Sequence, residues 1–247
     1  MTRERTIALF MIPALLLVFG CSSGGSRRED ELLDELANQE KEVIFERAEN
    51  LYSEKEYQKA RELFAFVYDS FPNDPLGHRA ALRVADTFSV KKDVTSLTEA
   101  RLRYRDFANR YPNDPDRDYA LLMVGHTYSA RKLRPDRDLS DIQEALAAYQ
   151  QLINLYPNSG YLSEAQARMD DLLELLAQHE WLVATFYIRN KRFQGALWRL
   201  QYIQENYENY SQIALVNEKI SEMETLLEER EAAWKKQLEE LRKSTED

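Results

Sequence analysis

Three stretches of this chain close on an aromatic residue followed by proline and asparagine: Phe71-Pro72-Asn73, Tyr111-Pro112-Asn113 and Tyr156-Pro157-Asn158. A fourth, Tyr207-Glu208-Asn209, keeps the aromatic and the asparagine but not the proline. Reading back from each ending gives aligned columns. Tyr57, Leu97, Ile142 and Phe193 open them, and Ala60, Ala100, Ala145 and Ala196 follow three residues later. Phe64, Tyr104, Tyr149 and Leu200 come next, then Val67, Phe107, Leu152 and Ile203, then the closing aromatics. The steps of 3, 4, 3 and 4 describe one face of an α-helix. Alanine on that face admits a neighbouring helix closely, and proline, which lacks an N–H, stops the helix.

Upstream of these helices runs a second pattern: Ile44, Ala48, Leu51; Ala81, Ala85, Phe88; Leu121, Gly125, Tyr128. The small residue marks where the paired helix crosses. Each unit is a hairpin of two amphipathic helices that buries its apolar stripe only against a neighbour, the signature of a solenoid. The order small, aromatic, alanine, aromatic, proline resembles the tetratricopeptide repeat (TPR), although the alanines lie 40, 45 and 51 residues apart. The expected fold is all-α, a right-handed TPR-like α-solenoid of about four to five helix pairs over 39–210. The proline-free run from Gly160 predicts one long helix to about Asn190. Residues 211–247 predict an extended charged helix: Ile213, Val216, Ile220, Met223 and Leu227 form a seam, Arg230 breaks it, and Trp234, Leu238 and Leu241 resume in another phase.

The first twenty residues read as a targeting signal. Arg3 and Arg5 precede an apolar run from Ile7 to Phe19, about 20 Å as helix and short for a bilayer span. Val18-Phe19-Gly20-Cys21 resembles a bacterial lipobox, which implies cleavage before Cys21 and an N-acyl, S-diacylglycerol lipid on its sulfur. Ser22 after the cysteine implies sorting to the outer membrane, and residues 21–38 then form a polar linker. Cys21 is the single cysteine, so an internal disulfide and multi-cysteine metal sites are excluded. With 33 Lys plus Arg against 43 Asp plus Glu, a net charge of -10 argues against a nucleic-acid partner.

The run from Arg137 to Arg199 is more specific. It contains Arg137-Asp138, the EALAAYQQLINLYPNSGYLSEAQARM segment, His179-Glu180, Tyr187, Ala196 and Arg199. Together with the lipobox it resembles the BamD (YfiO, ComL) family of outer-membrane assembly lipoproteins. The resemblance implies a non-enzymatic scaffold on the periplasmic face of the outer membrane, with no cofactor beyond the lipid. It implies as partners a BamA-like barrel subunit, other lipoproteins of the assembly machine, and unfolded outer-membrane proteins. By that analogy Glu180, Tyr187 and Arg199 are candidates for the BamA-facing region. In TPR units the first helices line the concave side, which nominates Phe45, Glu49, Tyr52, Leu82, Asp86, Leu122 and His126 as a peptide-binding row. The apolar Phe45, Leu82 and Leu122 would there receive alternate side chains of an extended peptide.

Catalysis finds no support in the pattern. His78, His126 and His179 fall in different repeats, and no Walker loop, H-E-x-x-H, G-x-S-x-G or dinucleotide glycine pattern occurs. A different TPR envelope lipoprotein, such as a pilotin or a scaffold for secretin or peptidoglycan assembly, shares the lipobox and the columns but is not expected to share the Arg137–Arg199 run.

Overall fold

The structure is a computed structural model describing residues 38–130 and 139–246. Cys21 and the Arg137–Asp138 pair lie outside the described residues. Among those described, the chain forms nine helices and no strand: α1 (Lys41–Ser53), α2 (Tyr57–Ser70), α3 (Pro75–Ser89), α4 (Val94–Arg110), α5 (Arg117–Ser129), α6 (Ser140–Leu155), α7 (Leu162–Arg189), α8 (Phe193–Asn206) and α9 (Ile213–Glu246). Each helix packs on its chain neighbours, and α1 also touches α3. This is the expected all-α, TPR-like solenoid, four hairpins followed by one long helix.

The repeat columns form its core. Ala60, Ala100, Ala145 and Ala196 are each 0% exposed, and so are Phe64, Tyr104, Tyr149 and Leu200 one turn on. The small residues of the first helices sit where the partner crosses: the Tyr149 ring lies directly over Gly125. The closing aromatics Phe71, Tyr111, Tyr156 and Tyr207 are the C-caps of α2, α4, α6 and α8, with φ between -119° and -136° and ψ between 54° and 68°. In every case the cap N–H donates to the carbonyl four residues back, and the cap carbonyl accepts from the N–H three residues ahead. The fourth cap has this geometry with Glu208 in the proline slot, so the half-buried aromatic and its turn end the helix, and proline only reinforces the stop.

Short turns join the helices within a hairpin. Lys55, Lys92 and Lys191 adopt φ of 66°, 56° and 55° between α1 and α2, α3 and α4, and α7 and α8. Asp74 and Asp93 cap the starts of α3 and α4, accepting from the Leu76 and Ser96 N–H groups at 2.9 Å.

Buried apolar residues separate into three clusters: one across α1, α2 and α3, one from α3 to the first half of α7, and one joining the second half of α7 to α8 and α9. The 28-residue helix α7 supplies Ala165 and Leu172 to the middle cluster and Ala177 and Ala184 to the last. No helix among the described residues is long and apolar enough to cross a membrane.

One expectation for α9 needs correcting. Trp234 and Leu241 do not change phase. They continue the seven-residue column of Ile213, Ile220 and Leu227, because seven residues fall only ~20° short of two turns.

Candidate functional site

Two groups of polar and aromatic side chains stand out, one near each end of the solenoid. The first centres on Arg83 of α3. Its guanidinium donates to both oxygens of Glu49 at 2.7 and 2.6 Å and to Asp86 Oδ2 at 2.8 Å, and it stacks 3.9 Å from the Tyr52 ring centre. Arg83 and Asp86 meet because residues three apart share a helix face. Asp86 is only 4% exposed, and its other oxygen accepts from the hydroxyls of Tyr104 at 2.5 Å and Tyr119 at 2.8 Å. Burial pushes the Tyr104 and Tyr119 hydroxyls above their ordinary range, and the Asp86 charge adds to this. Burial opposes the Arg83 charge, but bonding to Glu49 and Asp86 outweighs it and raises the group's pKa. The network thus sets one buried carboxylate between an arginine and two phenol hydroxyls. Tyr161 extends it, its ring 5.8 Å from that of Tyr119.

The structure brings Glu49, Tyr52 and Asp86 of the nominated row together here. It does not leave the apolar part of that row open. Phe45, Leu82 and Leu122 are 7%, 4% and 2% exposed, with Phe45 edge-on to Phe64. They face their own partner helices, so a peptide could not reach them without opening the packing. His126 sits apart, at the far end of α5, with its Nε2 3.4 Å from Glu164 Oε1; burial lowers its pKa. Sequence reasoning missed Arg83, Tyr119 and Tyr161. The Arg83–Asp86 spacing was a usable signal for the first; nothing in the chain marks Tyr119 as a partner of Asp86 or Tyr161 as a neighbour of Tyr119.

The second group joins α7 to α8. Arg199 Nη1 donates to Glu180 Oε2 at 2.7 Å, while the buried Arg199 Nε has no hydrogen-bond partner. The guanidinium lies 4.7 Å from the Trp198 ring centre, and the Tyr187 ring lies 3.6 Å from where a Cβ on Gly195 would sit. All three nominated residues, Glu180, Tyr187 and Arg199, therefore fall along one helix–helix seam. Around it large apolar side chains remain exposed, namely Leu182, Phe186, Trp198 and Tyr202. Lone exposed apolar residues are ordinary, whereas several bulky ones on adjoining helices mark a contact surface. Among the described residues no cluster of His, Cys, Asp or Glu could hold a metal ion.

Comparison with known proteins now adds to this geometry. The family model described as YfiO, outer membrane lipoprotein, matches residues 37–238. The chain belongs to this family. Among curated relatives, an outer membrane protein assembly factor BamD from Haemophilus influenzae is 25% identical over 245 residues, covering 88% of each chain. The BamD of Vibrio cholerae is 38% identical over 74 residues, 30% of this chain and 31% of that one. A third, from Neisseria meningitidis, is 36% identical over 74 residues, 30% of this chain and 28% of its own. The matches from Vibrio and Neisseria thus span about a third of each relative, whereas the Haemophilus alignment spans most of it. Both polar groups fall inside the residues matched by the family model.

Proposed function

We propose that this member of the YfiO family is a non-enzymatic subunit of the machinery that folds and inserts β-barrel proteins into the outer membrane. The family match over residues 37–238 carries this reading, and the names of the relatives supply its biological setting. The α7–α8 seam is the surface for a BamA-like barrel subunit. The Arg199–Glu180 pair ties the two helices together, and the exposed Trp198 and Phe186 offer apolar area beside it. Aromatic and arginine side chains of this kind dominate binding energy at protein interfaces. An envelope pull-down tests it: the native chain is expected to retain a BamA-like barrel, and Arg199→Glu to lose most of it while keeping its helix content. A pull-down enriched instead in secretin or peptidoglycan-linked proteins supports the alternative scaffold and overturns this assignment.

Residues 1–20 act as the signal and residues 21–38 as a linker from an acylated Cys21 to the solenoid of 39–210. Each buried CH₂ contributes about 0.8 kcal/mol to membrane binding, so a multi-chain anchor holds firmly where one chain is marginal. Cys21→Ser is expected to move the chain into the soluble fraction; continued sedimentation with membranes would rule out the lipid as anchor.

The client surface follows the tyrosine–arginine ladder Tyr52, Arg83, Tyr119 and Tyr161. Each of these side chains is part-buried rather than sealed, in contrast to Phe45, Leu82 and Leu122. Rings in a row suit an extended segment with alternate aromatic side chains. Tyr161→Ala, at the open end of the ladder, is expected to weaken binding of a peptide from the last strand of an outer-membrane barrel by about tenfold, equal to ~1.4 kcal/mol. Unchanged affinity would place clients elsewhere.

A further inference from the structure

Along α8 the rings of Trp198, Tyr202 and Tyr207 follow one another with centres 6.3 and 6.0 Å apart, the first two exposed and the third half-buried. Tyr207 forms part of the wall of a hollow of about 210 Å³, where α8 turns into α9 against the middle of α7. Asp170, Leu173 and Glu174 of α7 line it from the other side. Every charge on the lining is negative, namely Asp170, Glu174 and Glu208. Their hydrogen bonds come from neutral donors: Glu174 accepts from the Ser211 N–H at 3.0 Å and from its hydroxyl at 2.5 Å, and Asp170 accepts from Gln166 Nε2 at 3.1 Å. Asn206 donates its amide to the Tyr202 carbonyl at 2.9 Å, which leaves its Oδ1 as a further acceptor. The C-terminus of α8 adds negative potential here, and its last turn carries no basic residue. Tyr210 is a second, independent feature. It lines the same hollow, is 3% exposed, and its hydroxyl has no hydrogen-bond partner in the protein. Burial raises its pKa and the Glu174 charge adds to this, so the phenol stays neutral and able to accept an N–H.

We propose that this hollow takes an arginine side chain of the protein that docks on the α7–α8 seam, an assignment that rests on the seam being an interface. The carboxylates form no group that could hold a metal ion, so their complement is a broader organic cation. A guanidinium is planar and lies against a tyrosine ring such as Tyr207, and its five donors spread over carboxylates, the Asn206 oxygen and the Tyr210 hydroxyl. A lysine ammonium offers three donors from one point and stacks less well. Burying a cation is costly unless its charge is met, and here three carboxylates and no competing cation meet it. The ring row makes the hollow continuous with the exposed aromatic surface, so a partner seated on Trp198 and Tyr202 has its chain at the mouth. Tight anchors at protein interfaces are of this kind, an arginine in a pocket beside aromatic contacts.

Two measurements on the full chain in detergent test this. In the first, N-acetyl-arginine amide is titrated and followed by heteronuclear NMR. It is expected to shift the backbone amides of residues 206–210 saturably, with the lysine analogue weaker and the glutamine analogue inert. Asp170→Asn with Glu208→Gln, which spares the Glu174–Ser211 contact, should weaken binding about tenfold, and Tyr210→Phe, which removes only a hydroxyl, about threefold. Glu205→Gln, on α8 outside the hollow, should change nothing. Equal binding of the three amides, or unchanged affinity in either pocket variant, overturns the proposal. In the second, the soluble domains of a BamA-like subunit are bound to the same variants. A tenfold loss in the double variant, absent in Glu205→Gln, supports the socket. If Arg199→Glu abolishes that binding while the double variant keeps it in full, the seam stands as an interface and the socket falls. If the wild type does not bind those domains but still takes up the arginine amide saturably, the barrel assignment falls and the socket stands.

Discussion

Replacing Arg83 with leucine is expected to lower the free energy of unfolding by about 3 kcal/mol, read as a shift in the urea midpoint at constant slope. The substitution keeps much of the side-chain volume and removes three charge-assisted hydrogen bonds and a ring stack. Breaking a buried ion pair by deleting one partner costs about 3–5 kcal/mol, because the other charge stays behind without compensation. Two features hold the loss to the lower end. Tyr104 and Tyr119 continue to donate to Asp86, and the Glu49 side chain, 36% exposed, can return to water. Glu49→Gln should therefore cost much less than Arg83→Leu. A loss for Arg83→Leu within the range of an exposed pair, below about 1 kcal/mol, would show that the network does not stabilise the first two hairpins.

Gly125→Ala sets two effects against each other. Alanine is the better helix former by about 1 kcal/mol, so at an exposed site it would stabilise. Here a Cβ on residue 125 would lie 2.3 Å from Tyr149 Cε1 and 2.6 Å from Cζ. The ring cannot withdraw easily. Tyr149 is 0% exposed, its hydroxyl lies 3.1 Å from Ser129 Oγ, and His126 stands edge-on at 5.8 Å. Overpacking of this kind costs about 1–3 kcal/mol, enough to cancel the propensity gain and leave a net loss. Tyr149→Leu in the Gly125→Ala background should recover part of it. A second readout comes from titration. Burial pushes the Tyr149 hydroxyl up to about 12, so this tyrosine should ionise after the exposed ones in alkaline ultraviolet titration. In Gly125→Ala, a ring displaced toward solvent would ionise earlier. Equal or higher stability of Gly125→Ala, with that titration unchanged, would mean that the ring does not press on the glycine.

The repeat made the fold legible. Periodicity is a property of the backbone and of burial, so alanine and aromatic columns at helical spacing translate directly into core positions, and all four alanines lie where they point. The candidate surfaces were legible only in part. Glu49, Tyr52 and Asp86 were nominated because they fall on the first-helix face, but a hairpin helix buries more than one stripe when it has neighbours on both sides. Phe45, Leu82 and Leu122 sit on the second of those stripes, which a single-helix wheel cannot distinguish from an exposed one. Tyr119 and Tyr161 were invisible for another reason. Their relation to Asp86 spans 33 residues or more and depends on how the hairpins stack. Glu180 and Arg199 were nominated through the family resemblance rather than through periodicity, and the structure pairs them across one hairpin.

Helix α7 belongs to two hydrophobic clusters that share no other helix. A rod clamped in two separate vices carries torque between them: a partner that tilts α8 and α9 must either twist α7 or turn the middle hairpins with it. The junction near Leu176 and Ala177 is where such a twist would concentrate, and the amide protons there are expected to exchange fastest within an otherwise slow helix. A load applied at the α8–α9 end would in this way reach the middle hairpins through one continuous backbone.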